Sequence, residues 1–284
     1  MTSPTTSKIQ RVTAGLTPET ARLIHGQLKR PTEHQDQTET IVRAIIDKVQ
    51  REGDSALLDY SRRFDRLKAR SVAELRVSDT EIAHAVAQLS PKLHEALDLA
   101  ARRIEDFHRR QKPTDLDYLD DFGNRLGSRW RPVDAAGIYV PGGTASYPSS
   151  VLMNAIPARV AGVPRIAMVV PSPDNRLSQL VLAAAHRAGV SEIWRIGGAQ
   201  AIAALAFGTQ SIAPVDVITG PGNEFVAAAK QQVYGQVGID SIAGPSEILL
   251  IAEPPVRPDW LAADLLSQAE HDSESQAVMI TTDP

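Results

Sequence analysis

The feature that most constrains the fold of this chain is an alternation, after about residue 135, between short apolar runs and longer stretches with helical spacing. The apolar runs are rich in Val and Ile and lack polar alternation, which indicates parallel strands covered on both faces. They span residues 137–140, 166–170, 193–196, 215–219 and 248–251, and the helix candidates between them span 149–161, 177–188, 199–206 and 223–233. This order predicts an α/β fold with right-handed crossovers and a doubly wound parallel sheet.

The part of the chain before residue 136 has a different composition. It holds 23 of the 30 Lys and Arg residues and 21 of the 34 Asp and Glu residues, whereas 13 of the 18 glycines come later. Long charged faces in contact with water favour helices in the first part, and tight turns between buried elements explain the glycines of the second. We therefore expect a helical N-terminal region followed by the parallel sheet.

Local signals place the helices of this N-terminal region. Pro18 suits a first helical position, and Ser78 with Glu81 has the spacing of a capping box. A long helix should start at Ser90-Pro91 and stop before Pro113. Ile41, Ile45 and Val49 should form an apolar stripe on one helix. Asp54 is expected to be the N-cap of the next helix, and the AELRV segment at 73–77 is expected to be a short strand.

Composition excludes several classes of function. The chain has no cysteine, which rules out a disulfide framework, a thiolate metal site and a cysteine nucleophile within its 284 residues. A net charge of −4 argues against a general nucleic-acid binder. No apolar run has the ~18–20 residues of a membrane span, and the first ten residues lack the apolar core of a signal peptide. We expect a cytoplasmic protein that acts on a small molecule.

Three glycine-rich turns fall where a strand should pass into a helix. They are Val140-Pro141-Gly142-Gly143, Gly197-Gly198-Ala199-Gln200 and Gly220-Pro221-Gly222-Asn223. Such turns can bring the backbone close to an anionic ligand, although tight strand-to-helix turns need glycine in any α/β protein. None is the usual dinucleotide fingerprint, because Phe225 occupies the third glycine position of the last turn. The pattern favours a nucleotide-like ligand without a standard Rossmann site.

A polar segment near the end of the chain is a second candidate for chemistry. Gln268 and His271 are three residues apart near the end of a helix that begins close to Pro258, so they share a face. His271 could bind a metal through its imidazole and Gln268 through its amide oxygen, but a solvent-exposed helix end explains the same spacing. Ser246, in the AGPSE motif before a buried strand, could bind a ligand or serve as a turn residue.

Taken together and in order, these motifs resemble the histidinol dehydrogenase family. The matching strings are GDSALLDYSRRFD, GIYVPGG, VLMNAIPARVAGV, IGGAQAIAALAFGT, TGPGNEFVAAAK, AGPSEILLIA and DLLSQAEHD, which cover most of the chain from about Gly53. The resemblance implies two incomplete Rossmann-like α/β/α domains, a bound zinc ion, NAD as oxidant and an intertwined homodimer. It also implies a flexible tail over 1–20, the helical part of the first domain over 21–124, the second, NAD-side domain over 125–247, and a return to the first domain over 248–284.

The resemblance also assigns functional positions. It implies that Tyr139, Gln200 and Asn223 contact NAD, that Ser246 binds the substrate, and that Gln268 and His271 bind zinc and border the substrate. The family's paired catalytic Glu and His, and the Asp and second His that complete its zinc site, are expected beyond Pro284. The sequence is therefore expected to be a fragment of a longer protein, with a naturally truncated protein as the alternative.

The implied reaction oxidises L-histidinol to L-histidine through L-histidinaldehyde in two NAD-dependent steps, the last steps of histidine biosynthesis. Because no thiol is available within residues 1–284, the second step should pass through an aldehyde hydrate. Two alternatives stay open: a dehydrogenase of another small polar alcohol on the same scaffold, and a nucleotide-binding protein without catalytic activity.

Overall fold

The computed structural model describes residues 17–28, 32–142, 147–242, 247–270 and 275–282. By its internal contacts the chain divides into two units, residues 1–37 and 38–284. The described helices are α1 (Pro18–Leu28), α2 (Thr32–Glu52), α3 (Asp54–Phe64), α4 (Asp79–Ala87), α5 (Pro91–Gln111), α6 (Pro148–Ala161), α7 (Gln179–Ala188), α8 (Gly198–Phe207), α9 (Glu224–Val233) and α10 (Pro258–Ala269). The strands are β1 (Leu116–Leu119), β2 (Arg125–Ser128), β3 (Ala135–Tyr139), β4 (Arg165–Val169), β5 (Glu192–Trp194), β6 (Val217–Thr219), β7 (Gly238–Ile239), β8 (Glu247–Ala252) and β9 (Gln276–Thr281).

A five-stranded parallel sheet in the order β5-β4-β3-β6-β7 forms the centre of the larger unit. If its strands are renumbered along the chain, the order is 3-2-1-4-5, the arrangement of a doubly wound nucleotide-binding sheet. The chain leaves β3 in one direction for β4 and later returns to the other side for β6. The switch point therefore lies between β3 and β6, where such sheets bind ligands at their carboxyl ends.

Helices cover both faces of this sheet, which explains the continuous apolar runs of its strands. Tyr139 and Val169 face one core, which α2, α3, α8 and α9 complete. Ile138 and Met168 face the other core, which α4, α5, α6 and α7 complete. Because successive side chains of a strand point to opposite faces, a strand buried on both faces must be apolar at every position.

The structure confirms the predicted fold class and the elements of the alternating region. The strands and helices that were expected in it are all present, with bounds shifted by at most two residues. The capping box also forms: Ser78 Oγ accepts a hydrogen bond from the Glu81 backbone N–H, and the Glu81 carboxylate accepts one from the Ser78 N–H. The helix that was expected to start at Ser90-Pro91 is α5. The domain boundaries that the resemblance implies stay a prediction.

Three local expectations are wrong. The AELRV segment is not a strand: Val72–Leu75 forms a 3-10 helix, whose three-residue turn buries both Val72 and Leu75. Asp54 is not an N-cap but the first residue of α3, where its carboxylate accepts hydrogen bonds from the Ser211 N–H and hydroxyl. In α2 the buried stripe is Val42, Ile45, Ile46 and Val49, whereas Ile41 is 49% exposed.

Several elements of the structure were not predicted from the sequence. The hairpin of β1 and β2 is exposed along both strands, and β7 has only two residues. At the end of the chain, β8 and β9 pair in parallel, and α10 packs against both of them. Within the described residues, no helix is long and apolar enough to cross a membrane.

Candidate active site

Tyr139 lies at the centre of the carboxyl edge of the five-stranded sheet. Its side chain is 4% exposed, and its hydroxyl oxygen accepts a hydrogen bond of 3.1 Å from the Gly198 N–H at the start of α8. Burial raises the pKa of the Tyr139 hydroxyl to about 12, against a smaller opposing effect of that hydrogen bond. The hydroxyl therefore keeps its proton at neutral pH and can donate it in a hydrogen bond.

The three glycine-rich turns meet around this tyrosine. The first follows Tyr139 directly, and the second provides the N–H that binds its hydroxyl. In the third turn, a Cβ atom at Gly220 would overlap the Tyr139 carbonyl oxygen, and the backbone φ of 118° there also requires glycine. The turns are therefore close enough to border one ligand, although the contacts that explain Gly220 lie within the protein.

The neighbouring glycines have a similar explanation. Cβ atoms at Gly142 and Gly197 would both overlap Pro171, which follows β4. These glycines let the loops at the ends of β3, β4 and β5 pack against each other. Their first role is therefore close packing of the turns, as in any tightly wound α/β sheet, and the ligand must be argued from the side chains.

An ion pair between the buried Lys230 and the one-third exposed Asp240 holds the Gly220 turn in place. Lys230 in α9 is 2% exposed, and its ammonium group donates to the Gly220 carbonyl oxygen at 3.0 Å and to the Asp240 carboxylate. The same carboxylate accepts a hydrogen bond of 2.8 Å from the Gly220 N–H. Both polar groups of the Gly220 residue are thus fixed by one Lys–Asp pair, which links β6, α9 and the chain after β7.

The other two residues that were predicted to contact NAD lie at helix starts on this edge. Asn223 is the N-cap of α9, and its Oδ1 atom accepts a hydrogen bond of 3.1 Å from the Val226 N–H. Its amide nitrogen is therefore the group with which it would contact a ligand. Gln200, in the first turn of α8, is 2% exposed. The structure places Tyr139 and Gln200 around the start of α8 and Asn223 at the end of the neighbouring β6.

Asp65, just after α3, is a residue of this edge that the sequence did not single out. It is 5% exposed, and its Oδ2 atom has no hydrogen-bond partner within the described residues. Burial raises its pKa to about 6, while the neighbouring Arg66 lowers it. The residue occurs in the quoted GDSALLDYSRRFD string, but nothing in an amphipathic helix pattern signals that the carboxylate after it is buried.

The second candidate region is only partly described. Gln268 lies in the last turn of α10, half-buried, and its amide nitrogen donates a hydrogen bond of 3.3 Å to the Ser275 hydroxyl. Its amide oxygen is thus the atom that suits a metal ion. Ser246 and His271 lie outside the described residues. In the described part of the chain, no three His, Asp or Glu side chains cluster in a way that could hold a metal ion.

Comparisons with known proteins agree on one family. The sequence model of the histidinol dehydrogenase family matches residues 28–284. Histidinol dehydrogenase of Rhodospirillum rubrum is 55% identical over 276 residues, which cover 97% of this chain and 62% of that protein. The enzyme of Brucella suis is 61% identical over 242 residues, which cover 85% of this chain and 56% of that protein.

A solved structure is similar as well. The crystal structure of histidinol dehydrogenase from Elizabethkingia anophelis matches with a TM-score of 0.78 and 38% sequence identity, covering 90% of this chain and 61% of that one. The chain thus spans about 60% of the length of the relatives that it matches.

Proposed function

Because the chain belongs to the histidinol dehydrogenase family, we propose that the protein oxidises L-histidinol to L-histidine through L-histidinaldehyde, with NAD as oxidant and a zinc ion in the site. The observation that carries this proposal is the meeting of three strand-to-helix turns around Tyr139, at the carboxyl edge of a sheet with nucleotide-binding strand order. We also propose that the protein works in the cytoplasm, where amino-acid biosynthesis and a soluble NAD pool are found.

The residues at the sheet edge fit a dinucleotide. NAD offers ribose hydroxyls, phosphates and a carboxamide, so its site needs both donors and acceptors. Two buried oxygens of this edge, Asp65 Oδ2 and Thr219 Oγ1, have no hydrogen-bond partner within the described residues. Buried polar atoms are normally paired, so such atoms mark places where a ligand supplies the missing partner. The start of α8 adds backbone N–H groups near the same place.

In the proposed mechanism, Tyr139, Gln200 and Asn223 bind and orient NAD. The Tyr139 oxygen already accepts the Gly198 N–H, so its proton is the part that would bind the dinucleotide. The Asn223 oxygen caps α9, so its amide nitrogen would do the same. Bound NAD supplies the acceptor for hydride removed from the alcohol and then from the hydrated aldehyde. The Lys230–Asp240 pair keeps the Gly220 turn in position for this binding.

Gln268, His271 and Ser246 are proposed to bind the substrate, and the first two to bind zinc. An amide oxygen and an imidazole nitrogen are acceptable zinc ligands, although the amide is an uncommon one. The hydrogen bond from Gln268 to Ser275 leaves the amide oxygen for this purpose. A bound zinc ion would supply a Lewis acid that orients the polar groups of histidinol. We assign the proton transfers to a Glu–His pair outside residues 1–284, and binding and orientation to the residues within them.

We also propose that the protein works as a homodimer. The β1–β2 hairpin carries exposed apolar side chains, among them Leu119 and Phe122, and the exposed Trp130 follows it. A two-stranded hairpin has little stability of its own, so it normally packs against another surface. Light scattering on a gel-filtration column tests the dimer at micromolar concentration: a mass about twice that of the expressed polypeptide supports it, and the mass of one polypeptide contradicts it.

The function is tested by NADH formation from L-histidinol, followed at 340 nm with the protein as its gene expresses it. Two NADH molecules per histidinol are expected, because oxidation of an alcohol to an acid removes four electrons. Turnover of another small alcohol in place of histidinol would favour the related dehydrogenase. NAD binding without turnover of any alcohol would favour the non-catalytic nucleotide-binding alternative.

A further inference from the structure

Asp65 is a buried charge that neither the fold nor the proposed mechanism explains. The residue is 5% exposed, and its Oδ2 atom has no hydrogen-bond partner in the described part of the chain. A buried carboxylate without a partner destabilises the folded state, and replacement by an apolar or amide side chain would remove that cost. A residue of this kind is expected where a ligand completes its hydrogen bonds.

The backbone around Asp65 is tied to the carboxyl end of β4. The Asp65 carbonyl oxygen accepts a hydrogen bond of 2.9 Å from the Asp174 N–H, in the loop that follows β4. Arg66 binds the Asp174 carboxylate through two hydrogen bonds of 2.8 and 2.6 Å. These three hydrogen bonds hold the end of α3 beside β4. None of them uses the Asp65 carboxylate, which stays available for a ligand.

The same carboxylate lies close to the residues of the dinucleotide edge. Its charge contributes to the raised pKa of the Tyr139 hydroxyl, so the two groups are within electrostatic range. Tyr139 in turn binds the Gly198 N–H at the start of α8. Asp65 is thus grouped with the ends of β3, β4 and β5, on the face of the sheet that α3 and α8 cover.

Dinucleotide-binding sheets need an acidic side chain at one place. In the 3-2-1-4-5 order, a carboxylate at the end of the second strand accepts hydrogen bonds from the ribose of the adenosine half. Here the second strand is β4, and the residues that follow it are Val170, Pro171 and Ser172, none of which is acidic. The Ser172 hydroxyl is directed to the Val170 carbonyl oxygen. Asp174, the first acidic residue in this loop, is already paired with Arg66.

We propose that Asp65 provides this missing acceptor from the C-terminal end of α3 and binds a ribose hydroxyl of NAD. The assignment rests on the proposed use of NAD. A buried carboxylate at this point repels the extra phosphate of NADP, so Asp65 also sets the preference for NAD over NADP.

The test is equilibrium binding of NAD, NADP and ADP-ribose to the chain and to two variants, by calorimetry. ADP-ribose keeps both riboses and lacks nicotinamide. Asp65→Asn removes the charge at constant size. Asp59→Asn is the matched control, since Asp59 is an exposed carboxylate of α3, the helix that Asp65 follows, and it pairs with Lys48. We expect Asp65→Asn to weaken NAD and ADP-ribose by about tenfold and to reduce the NAD-over-NADP preference by a similar factor. Asp59→Asn should change neither.

Other outcomes overturn the proposal in distinguishable ways. Unchanged NAD binding by Asp65→Asn overturns the Asp65 assignment and leaves the NAD proposal intact. Weaker NAD binding with unchanged ADP-ribose binding overturns the ribose contact in favour of a nicotinamide contact. A wild-type chain that binds none of the three overturns the use of NAD together with the role of Asp65.

Thermal unfolding of the same variants separates binding from support of the fold. Asp65→Asn should bind NAD more weakly while unfolding at an equal or higher temperature, because it removes a buried unpaired charge. Weaker binding together with a lower unfolding temperature would instead identify Asp65 as a structural residue and overturn the proposal.

Discussion

At the residue scale, the buried Asp65 carboxylate links stability to pH. Its pKa is about 6 in the folded chain and 3.8 as an ordinary side chain, so the folded state prefers the protonated form. The stability that protonation contributes is fully present below pH 3.8 and is lost as the pH rises through 6. A shift of about two pKa units corresponds to at most about 3 kcal/mol, and incomplete desolvation lowers the expected effect to about 2 kcal/mol.

The Asp65→Asn variant should therefore gain stability over the wild type as the pH rises. We expect the difference in free energy of unfolding to increase by about 2 kcal/mol between pH 4 and pH 8, measured by urea denaturation without NAD. The exposed Asp59→Asn variant should not reproduce this gain. If the difference in free energy of unfolding between Asp65→Asn and the wild type does not vary with pH, the burial of an unpaired charge at this position is contradicted.

Tyr139 gives a second prediction at this scale. Tyr139→Phe keeps the ring in the core but removes the acceptor of the Gly198 N–H. We expect a loss of about 1 kcal/mol in the free energy of unfolding and about tenfold weaker NAD binding. Tyr118→Phe, on the exposed hairpin, is the control and should change neither quantity. If NAD binds equally well to Tyr139→Phe, the hydroxyl does not contact the dinucleotide.

At the element scale, the Lys230–Asp240 pair joins β6, α9 and the chain after β7 through the Gly220 residue. Lys230→Met keeps most of the volume of the side chain but leaves the Gly220 carbonyl oxygen and the Asp240 carboxylate without their cation. Lys230 is buried, but water can reach the one-third exposed Asp240 carboxylate, so we expect a loss of about 1–2 kcal/mol in the free energy of unfolding, less than for a fully buried pair. Weaker NAD binding should accompany it, because the Gly220 turn loses its support.

The matched control is Lys48→Met, which breaks the exposed pair of Lys48 with Asp59. Exposed pairs contribute about 0–1 kcal/mol, so the control should be nearly neutral. Equal effects of the two substitutions in urea denaturation would show that the Lys230–Asp240 pair does not hold the turn.

The elements differ in how far the sequence predicts them, for physical reasons. The strands of the five-stranded sheet are buried on both faces, so Ile138 and Met168 give runs that are apolar throughout. The β1–β2 hairpin is exposed on both faces and has no such pattern. The AELRV segment is apolar enough for a strand, but its Leu75 enters the core from a 3-10 turn beside the edge strand β5, which only tertiary packing decides.

In the candidate site, too, some features can be predicted from the sequence and others cannot. Glycine-rich turns after strands predict where the chain approaches the sheet edge, because the strand order brings consecutive carboxyl ends together. The burial of Asp65 and the Lys230–Asp240 pair depend on contacts across long sequence separations, such as that between Asp65 and Asp174. No periodic pattern records such contacts. The roles of Tyr139, Gln200 and Asn223 in NAD binding stay predictions that rest on the family.

At the scale of the whole molecule, the two groups of proposed ligands lie on different parts of the fold. Tyr139, Gln200 and Asn223 belong to the five-stranded sheet and its helices. Gln268 belongs to α10, which packs on the separate β8–β9 pair. If the dinucleotide needs only the first group, then its binding does not depend on the metal ion.

This separation leads to a prediction about metal removal. Incubation of the chain with a chelator such as EDTA should leave the Kd for NAD unchanged within about twofold, while zinc that co-purifies or is added should be lost from the protein. Gln268→Ala should likewise weaken zinc binding, because the Gln268 amide oxygen is a proposed zinc ligand. It should leave NAD binding intact, because Gln268 lies in α10 and not at the carboxyl edge of the five-stranded sheet. Calorimetry with NAD and with zinc on the same samples measures both quantities. A large loss of NAD affinity after chelation, restored by added zinc, would mean that the metal ion contributes to dinucleotide binding, and that the five-stranded sheet alone does not bind NAD.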